Sequence, residues 1–308
     1  MNDPTVRTLR PARPAFGTAP HAVAAVPHAR AAALPATEVD ESREFAWTNA
    51  DFVRVQSLIH QRAGISLHDG KHAMVYSRLS RRLRETGHGS FQDYLAWLES
   101  HDGPEWQEFI NALTTNLTAF FREQHHFEVL ASLLRSRPGG PWSVWCSAAS
   151  TGEEPYSIVM TALESLGANA SFKLMASDID SRVLATASQG VYRQENLKGL
   201  SQERLQRFFL RGKGANAGLA RVKPELRRPV EFLSVNLIRD DWPFREAFDV
   251  VFCRNVMIYF DAPTQRRVLE RIHRVLKPGG MLFVGHAENF SDSRDLFTLR
   301  GKTVYERV

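Results

Sequence analysis

The chain has 308 residues, is 43% hydrophobic and 24% charged, and carries a formal net charge of +5. That length accommodates one large domain and a small one, and the apolar fraction supports a real core without covalent staples. Only Cys146 and Cys253 are present, each inside an apolar run and not in a C-x-x-C pair, which excludes a disulfide scaffold and a thiolate metal knuckle and points to a reducing cytoplasm. No run reaches the ~18 apolar residues of a membrane span and the N-terminus lacks a signal-peptide centre, so no direct membrane insertion is expected. The basic balance suits nucleic acid, a membrane surface or an acidic protein, and total charge does not choose among them.

Residues 1–44 are rich in Ala and Pro, with Pro4, Pro11, Pro14, Pro20, Pro27 and Pro35 spread through them, and read as a disordered tail. Arg7, Arg10, Arg13 and Arg30 raise the alternative of a transit peptide, but Asp3 and the repeated prolines oppose an amphipathic helix there. Over 45–128, apolar residues recur at helical spacing: Phe52, Val55, Leu58 and Ile59, then Val75, Leu79 and Leu83, then Phe91, Tyr94, Leu95 and Leu98. Turn signals at Gly64, Gly70, Gly87, Gly89 and Gly103-Pro104 separate them, so a small helical domain is predicted. Its second helix carries Lys71, Arg78, Arg81 and Arg82 opposite the apolar stripe, with no acid before Glu85. This stripe reads either as a solvated face or as a docking surface for an acidic partner.

A linker is expected over 129–140. From 141 to 308 strands and helices alternate, with strands at 143–146, 172–177, 230–235, 248–253, 281–285 and 302–307 and helices after Glu154, after Asp180 and over 264–276. The strands are continuous apolar runs, as in a parallel sheet covered on both faces, which predicts an open, doubly wound α/β domain. At about 190–229 the alternation breaks into a helical stretch and two short polar strands flanking the Gly-rich 211–218, an inserted β-subdomain with a hairpin.

The first predicted strand runs into Ser147-Ala-Ala-Ser-Thr-Gly-Glu-Glu154 and then a helix with Pro155 in its first turn. A small-residue loop thus sits at a strand's C-terminal edge, where open α/β sheets bind ligands. It lacks both G-x-G-x-x-G and G-x-x-x-x-G-K-[ST] and offers carboxylates where a phosphate wants amides and cations, so a cationic, phosphate-free nucleoside fits better than a pyrophosphate. Asp178 ends the second strand roughly 25 residues on; it can accept both ribose hydroxyls or cap the next helix. Asn236, closing the third strand beside Leu237, offers an amide to an adenine edge or serves a turn. Arg254 and Asn255 follow the buried fourth strand directly, and Asn116, Thr118 and Arg122 come from the junction of the helical and α/β regions. His125 and His126 suggest a base or a metal, but neighbours on a helix point in different directions, so surface or packing roles are expected and no metal site.

Taken together, Thr114-Thr-Asn-Leu-Thr-Ala-Phe-Phe-Arg-Glu123, Ala149-Ser-Thr-Gly-Glu-Glu-Pro-Tyr-Ser157, Ala176-Ser-Asp-Ile-Asp180, Phe252-Cys-Arg-Asn-Val-Met-Ile-Tyr-Phe-Asp261 and Gly285-His-Ala-Glu-Asn-Phe290 resemble the chemotaxis-receptor glutamate methyltransferase family. The resemblance covers 45–308. It implies a class I (Rossmann-like) methyltransferase sheet, a small all-helical N-terminal domain and an inserted β-subdomain. The implied cofactor is S-adenosyl-L-methionine, leaving S-adenosyl-L-homocysteine, with Asn116, Thr118, Arg122, Glu154, Asp178, Asn236, Leu237, Arg254 and Asn255 holding it. Arg122 and Tyr259 are assigned to catalysis by positioning, and Lys71, Arg78, Arg81 and Arg82 to receptor docking. The implied partner is a chemoreceptor's cytoplasmic helical bundle, and in some members of the family its C-terminal peptide; the expected enzyme is a cytoplasmic monomer that does not bind nucleic acid. Two alternatives are a nucleic-acid methyltransferase and a silent cofactor-binding regulator. The first is weakened because Arg254-Asn-Val-Met stands where amino-group enzymes carry Asn/Asp-Pro-Pro-Tyr; the second is opposed by intact Arg122, Asp178 and Tyr259.

Overall fold

The computed structural model describes residues 43–169 and 171–308; most of the Ala/Pro-rich segment read as a disordered tail lies outside the described residues. The helical portion begins with α1 (Asn49–Ala63), where Thr48 and Asp51 satisfy each other's backbone N–H groups in a capping box. It continues with α2 (His72–Thr86), α3 (Phe91–Ser100) and α4 (Glu105–Leu113). The apolar stripes read from the sequence close on one core, in which Val55, Ile59, Val75, Leu79, Leu83, Phe91, Tyr94 and Phe109 are fully buried. The next helix, α5 (His125–Ser136), occupies much of the stretch expected as a linker. Phe127, Leu130 and Leu134 give it a buried stripe of helical period, and it joins the core of the sheet domain.

The α/β portion runs β1 (Trp142–Cys146), α6 (Glu153–Leu166), β2 (Phe172–Asp178), α7 (Ser181–Gln189), β3 (Val191–Arg193), α8 (Gln202–Phe208), β4 (Phe209–Arg211), β5 (Leu219–Val222), α9 (Pro224–Arg227), β6 (Val230–Ser234), β7 (Phe248–Cys253), α10 (Ala262–Val275), β8 (Leu276–Val284), β9 (Phe297–Gly301) and β10 (Val304–Arg307). Seven strands form one sheet in the order β6-β2-β1-β7-β8-β10-β9. The first five lie parallel, while β10 is antiparallel to both of its neighbours. Every residue of β7 is buried, as befits a central strand that is apolar but for Asp249, which is paired to Arg137 and Lys277. The chain leaves β1 towards β2 and β6 and returns to β7 on β1's other side. The crevice opens at that reversal, outside the C-terminal ends of β1 and β7. The interruption near 190–229 is a separate antiparallel sheet, β3-β5-β4, with β4 and β5 as the expected hairpin.

The helical portion seats on the C-terminal edge of the large sheet through the end of α1. Gly64 terminates that helix at φ 72°, and a Cβ there would stand 2.4 Å from Ile238 Cγ2. Beyond it, Ser66 N–H donates to the Tyr259 carbonyl at 2.7 Å, and Asn236 Nδ2 donates to the Arg62 carbonyl at 2.7 Å. Asp261 accepts from Thr264 N–H at the start of α10 and meets His60 Nε2 at 2.8 Å. These bonds, Thr264 foremost and His60 after it, pull the Asp261 carboxyl down to about 2. Gly64→Ala should therefore cost about 1–3 kcal/mol, combining a left-handed backbone with a side-chain collision. Urea unfolding measures it, and an unchanged midpoint would mean that this seat is loose.

Candidate active site

A cleft of about 360 Å³ lies at the reversal point. Asn116, Thr118, Arg122, Glu154, Asp178, Asn236, Leu237, Arg254, Asn255 and Tyr259 all line it, although they come from segments far apart in the chain. Ile65, Leu67, Met74 and Lys71 close it from the helical side.

The loop after β1 turns sharply, with Ser150 at φ 49° and Gly152 at φ 100°. This turn aims Ser150 N–H at Asp178 Oδ2, 2.8 Å away, while Asp180 N–H donates to Asp178 Oδ1 at 3.0 Å. Each oxygen keeps a further lone pair. Burial pushes the Asp178 carboxyl up to about 6, against the pull of these N–H groups. The capping role weighed for Asp178 falls instead to Asp180, which accepts from Arg182 N–H at 2.9 Å. Asp180 also receives Thr114 Oγ1 at 2.8 Å and Asn116 Nδ2 at 2.9 Å, fixing the 114–118 segment against the sheet edge.

Arg254, with a fully buried side chain, links three segments. Its Nη1 donates to Glu154 Oε2 at 2.5 Å, its Nη2 donates to the Arg122 carbonyl at 2.6 Å, and Nη2 stands 3.4 Å from Glu123 Oε2. The first turn of α6, the end of β7 and the segment before α5 are thereby held on one guanidinium. Burial raises the Glu154 carboxyl, with Arg254 opposing; for Glu123 burial also pushes upward, but Arg254's charge and bonds from His286 and Asn255 prevail and lower it. Cys146 Sγ donates to Glu154 Oε1 at 3.3 Å, and burial raises the thiol well above its ordinary value, which keeps it unreactive.

The sequence reading missed Glu288. Its buried carboxylate accepts four backbone N–H groups: Asn255 at 3.0 Å, Val256 at 3.0 Å, Met257 at 2.8 Å and Gly285 at 2.5 Å. This carboxylate folds the chain after β7 and holds Asn255 at φ 56°. Gly285 makes room for it, since a Cβ there would stand 2.3 Å from Asn255 Nδ2. The available signal was an acid three residues beyond a glycine at the end of a parallel strand, too short a pattern to name a role.

Other expected residues are differently employed. Arg122 Nη1 donates to the Leu117 carbonyl at 2.8 Å, and Tyr259 ends the short 3₁₀ turn Met257–Tyr259 at the cleft wall. The basic stripe does not form one free face. Lys71 turns to the cleft, Arg78 donates to the Thr114 carbonyl at 2.6 Å, and Arg82 grips Glu105 at 2.6 and 2.9 Å, leaving Arg81 the most exposed, paired to Glu85. His125 and His126 do not point apart either. Their ring centroids are 4.1 Å apart at the start of α5, where the chain has just passed the left-handed Glu123 (φ 58°). Burial drives the His126 imidazole down to about 3, so it stays neutral.

The donors present fit a zwitterionic nucleoside. Asp178 offers carboxylate lone pairs at a strand end, Glu154 is a buried acid, and Arg254 Nε is a buried donor without a partner. The family model described as CheR methyltransferase, SAM binding domain matches residues 116–306, and the one described as CheR methyltransferase, all-alpha domain matches 50–114. The chain belongs to the CheR methyltransferase family. Chemotaxis protein methyltransferases similar to it include that of Klebsiella aerogenes, 58% identical over 84% of this chain and 89% of its own length. That of Escherichia coli is 54% identical over 86% and 93%, and chemotaxis protein methyltransferase 2 of Pseudomonas aeruginosa is 51% identical over 86% and 95%. The matched models meet beside Thr115, so α5 belongs to the span of the S-adenosylmethionine-binding domain. Within the described residues no helix is long and apolar enough to cross a membrane.

In this CheR-family chain Glu288→Gln replaces one acceptor oxygen with a donor that faces backbone donors. It should cost about 2–4 kcal/mol of stability, the scale of losing charge-assisted bonds inside a protein. Chemical unfolding measures the cost, and a loss below 0.5 kcal/mol would deny Glu288 its organising role.

Proposed function

We propose that this chain transfers a methyl group from S-adenosylmethionine to glutamate side-chain carboxylates on the cytoplasmic helical bundle of a chemoreceptor, giving a methyl ester and S-adenosylhomocysteine. The observation that carries this reading is the convergence of Arg122, Asp178, Arg254, Asn255 and Tyr259 on one cleft in a member of this family. The cofactor, when bound, supplies a methyl group made electrophilic by its sulfonium. Asp178 would accept from the ribose hydroxyls, Asn236 and Leu237 would flank the base, and Glu154 with Arg254 would meet the amino-acid end, with Asn116, Thr118 and Asn255 completing the wall. A glutamate with a reference pKa of about 4.3 is already ionised at neutral pH, so the protein need not remove a proton. Its task is to align the attacking oxygen and exclude water. Arg122 orients the carboxylate and Tyr259 fixes the approach; a guanidinium bound too tightly to the attacking oxygen would blunt it.

Receptor docking rests on Arg81, with Lys71 at the cleft itself, more than on Arg78 and Arg82, whose donors are already engaged. The β3 and β4 edges of the small sheet, with Leu210 exposed beside them, can take a C-terminal receptor peptide as an added strand. The enzyme works as a cytoplasmic monomer in this reading.

Radiolabelled methyl transfer to a receptor cytoplasmic fragment tests the activity: the label should be base-labile and vanish when the acceptor glutamates become alanine. Base-stable label, or label on nucleic acid instead, would overturn it. Asp178→Ala should weaken S-adenosylhomocysteine by about 1–3 kcal/mol. Because the free carboxyl titrates at about 6, wild-type affinity should be level above pH 7 and fall as pH drops below 6, approaching tenfold per unit. Calorimetry across that range decides, and a flat profile would remove Asp178 from the ribose. Arg81→Ala should raise the receptor KM and weaken its salt dependence while leaving cofactor affinity alone; equal kinetics at two ionic strengths would refute docking there.

A further inference from the structure

Beside the cleft, Glu123, His125 and His126 bring one ligand atom each to within 4.8 Å of one another. His125 Nε2 and His126 Nδ1 are buried and have no hydrogen-bond partner, and Glu123 Oε2 accepts no hydrogen bond either, being met only by the charge of Arg254 Nη2 at 3.4 Å. Each buried polar atom left unsatisfied costs ~1–3 kcal/mol, so two imidazole nitrogens without partners beside a buried carboxylate oxygen call for a common occupant.

The hydrogen bonds around His126 decide what these atoms offer. Its Nε2 lies 2.8 Å from Thr303 Oγ1, whose own proton goes to the Lys302 carbonyl at 2.8 Å. Thr303 therefore accepts, Nε2 carries the ring proton, and Nδ1 presents a lone pair. That lone pair faces Glu123 Oε2 at 3.6 Å. Two acceptors confront each other with no hydrogen between them, and His125 Nε2 adds a third buried ligand atom.

We propose that Glu123, His125 and His126 form a binding site for a divalent transition-metal ion, Zn²⁺ in particular. Two imidazoles and a carboxylate are a zinc donor set, whereas calcium and magnesium want oxygen alone. Bonds of ~2.0–2.1 Å at a tetrahedral angle place ligand atoms ~3.4 Å apart, close to the Nδ1 to Oε2 spacing already present. The Nε2–H to Thr303 bond supplies the outer hydrogen bond that fixes a ligating imidazole's tautomer and direction. His286, largely exposed with Nδ1 3.3 Å from Glu123 Oε1, stands at the solvent side, where the fourth position opens. Arg254 is the competing cation at Glu123 Oε2, 3.4 Å away, but its shorter bond to Glu154 at 2.5 Å keeps that guanidinium paired when the ion takes Glu123. The helical placement of adjacent histidines argues against this geometry only for a straight helix, and here the chain turns immediately before them.

The test is titration of the full-length, metal-stripped protein with Zn²⁺ against a chromophoric chelator, with Co²⁺ absorption reporting geometry. The wild type should take up a single equivalent at micromolar or tighter affinity and give the intense visible bands of a four-coordinate Co²⁺ site. His125→Ala and His126→Gln should each weaken zinc by more than the ~10–100-fold that follows loss of an outer hydrogen-bond partner. His101→Ala, at an exposed position elsewhere, should bind as the wild type does. His125 is the less buried of the pair, so His125→Ala keeps the test decisive should His126→Gln fail to fold. Wild-type zinc affinity no better than millimolar, or undiminished affinity in His125→Ala, would overturn the proposal.

Discussion

The site depends on one buried cation. Arg254 reaches the centre of the molecule only because β7 is enclosed on every side, and a guanidinium there is tolerable only if it is paired and hydrogen-bonded. Glu154, Glu123 and the Arg122 carbonyl supply those partners, and each belongs to a segment that must be in place for the cleft to exist. The desolvation cost of Arg254 is thus offset by contacts that also fix α6, the 116–124 segment and the end of β7 relative to one another. Such an arrangement specifies geometry more than it adds stability.

Glu288 does for backbone what Arg254 does for side chains. A buried carboxylate, its pKa raised by burial against the pull of the four N–H groups it receives, turns the end of β7 into a bend, and the bend sets Asn255 and the 3₁₀ turn that carries Tyr259. The helical portion then anchors to the next few residues: Ser66 bonds to the Tyr259 carbonyl, and His60 meets Asp261. The cleft's two walls are therefore joined in part through the residues that follow this central strand, alongside the Asn236 and Asp180 bonds at the ends of β6 and β2.

What could be read from the sequence follows the same division. Strands buried on both faces announce themselves as apolar runs, so the doubly wound sheet, the loop after β1 and the placement of Asp178 and Arg254 at the cleft were legible from local pattern alone. The matched family models agree with that fold and with the S-adenosylmethionine cofactor. Partners distant in sequence were not legible. The basic stripe looked free because Glu105, which holds Arg82, lies 23 residues away. Asn236 lines the cleft as expected, but the donation of its amide to the Arg62 carbonyl, 174 positions earlier, had no local signal. Glu288 serves N–H groups that no pattern assigns to a side chain, and α5 was hidden because its apolar stripe, Phe127, Leu130 and Leu134, is short and follows two histidines.

The most direct test of this account is S-adenosylhomocysteine affinity in Arg254→Met, measured by calorimetry on protein whose near-ultraviolet circular dichroism remains native. Removing the cation leaves Glu154 in the cleft wall and Glu123 beside it unpaired, and with the cofactor placed as proposed affinity should fall by more than ~100-fold, or about 3 kcal/mol. Adding Glu154→Gln should restore stability without restoring binding. Wild-type affinity in Arg254→Met would contradict the account, since the cleft would then be shaped without the interaction on which it is said to depend.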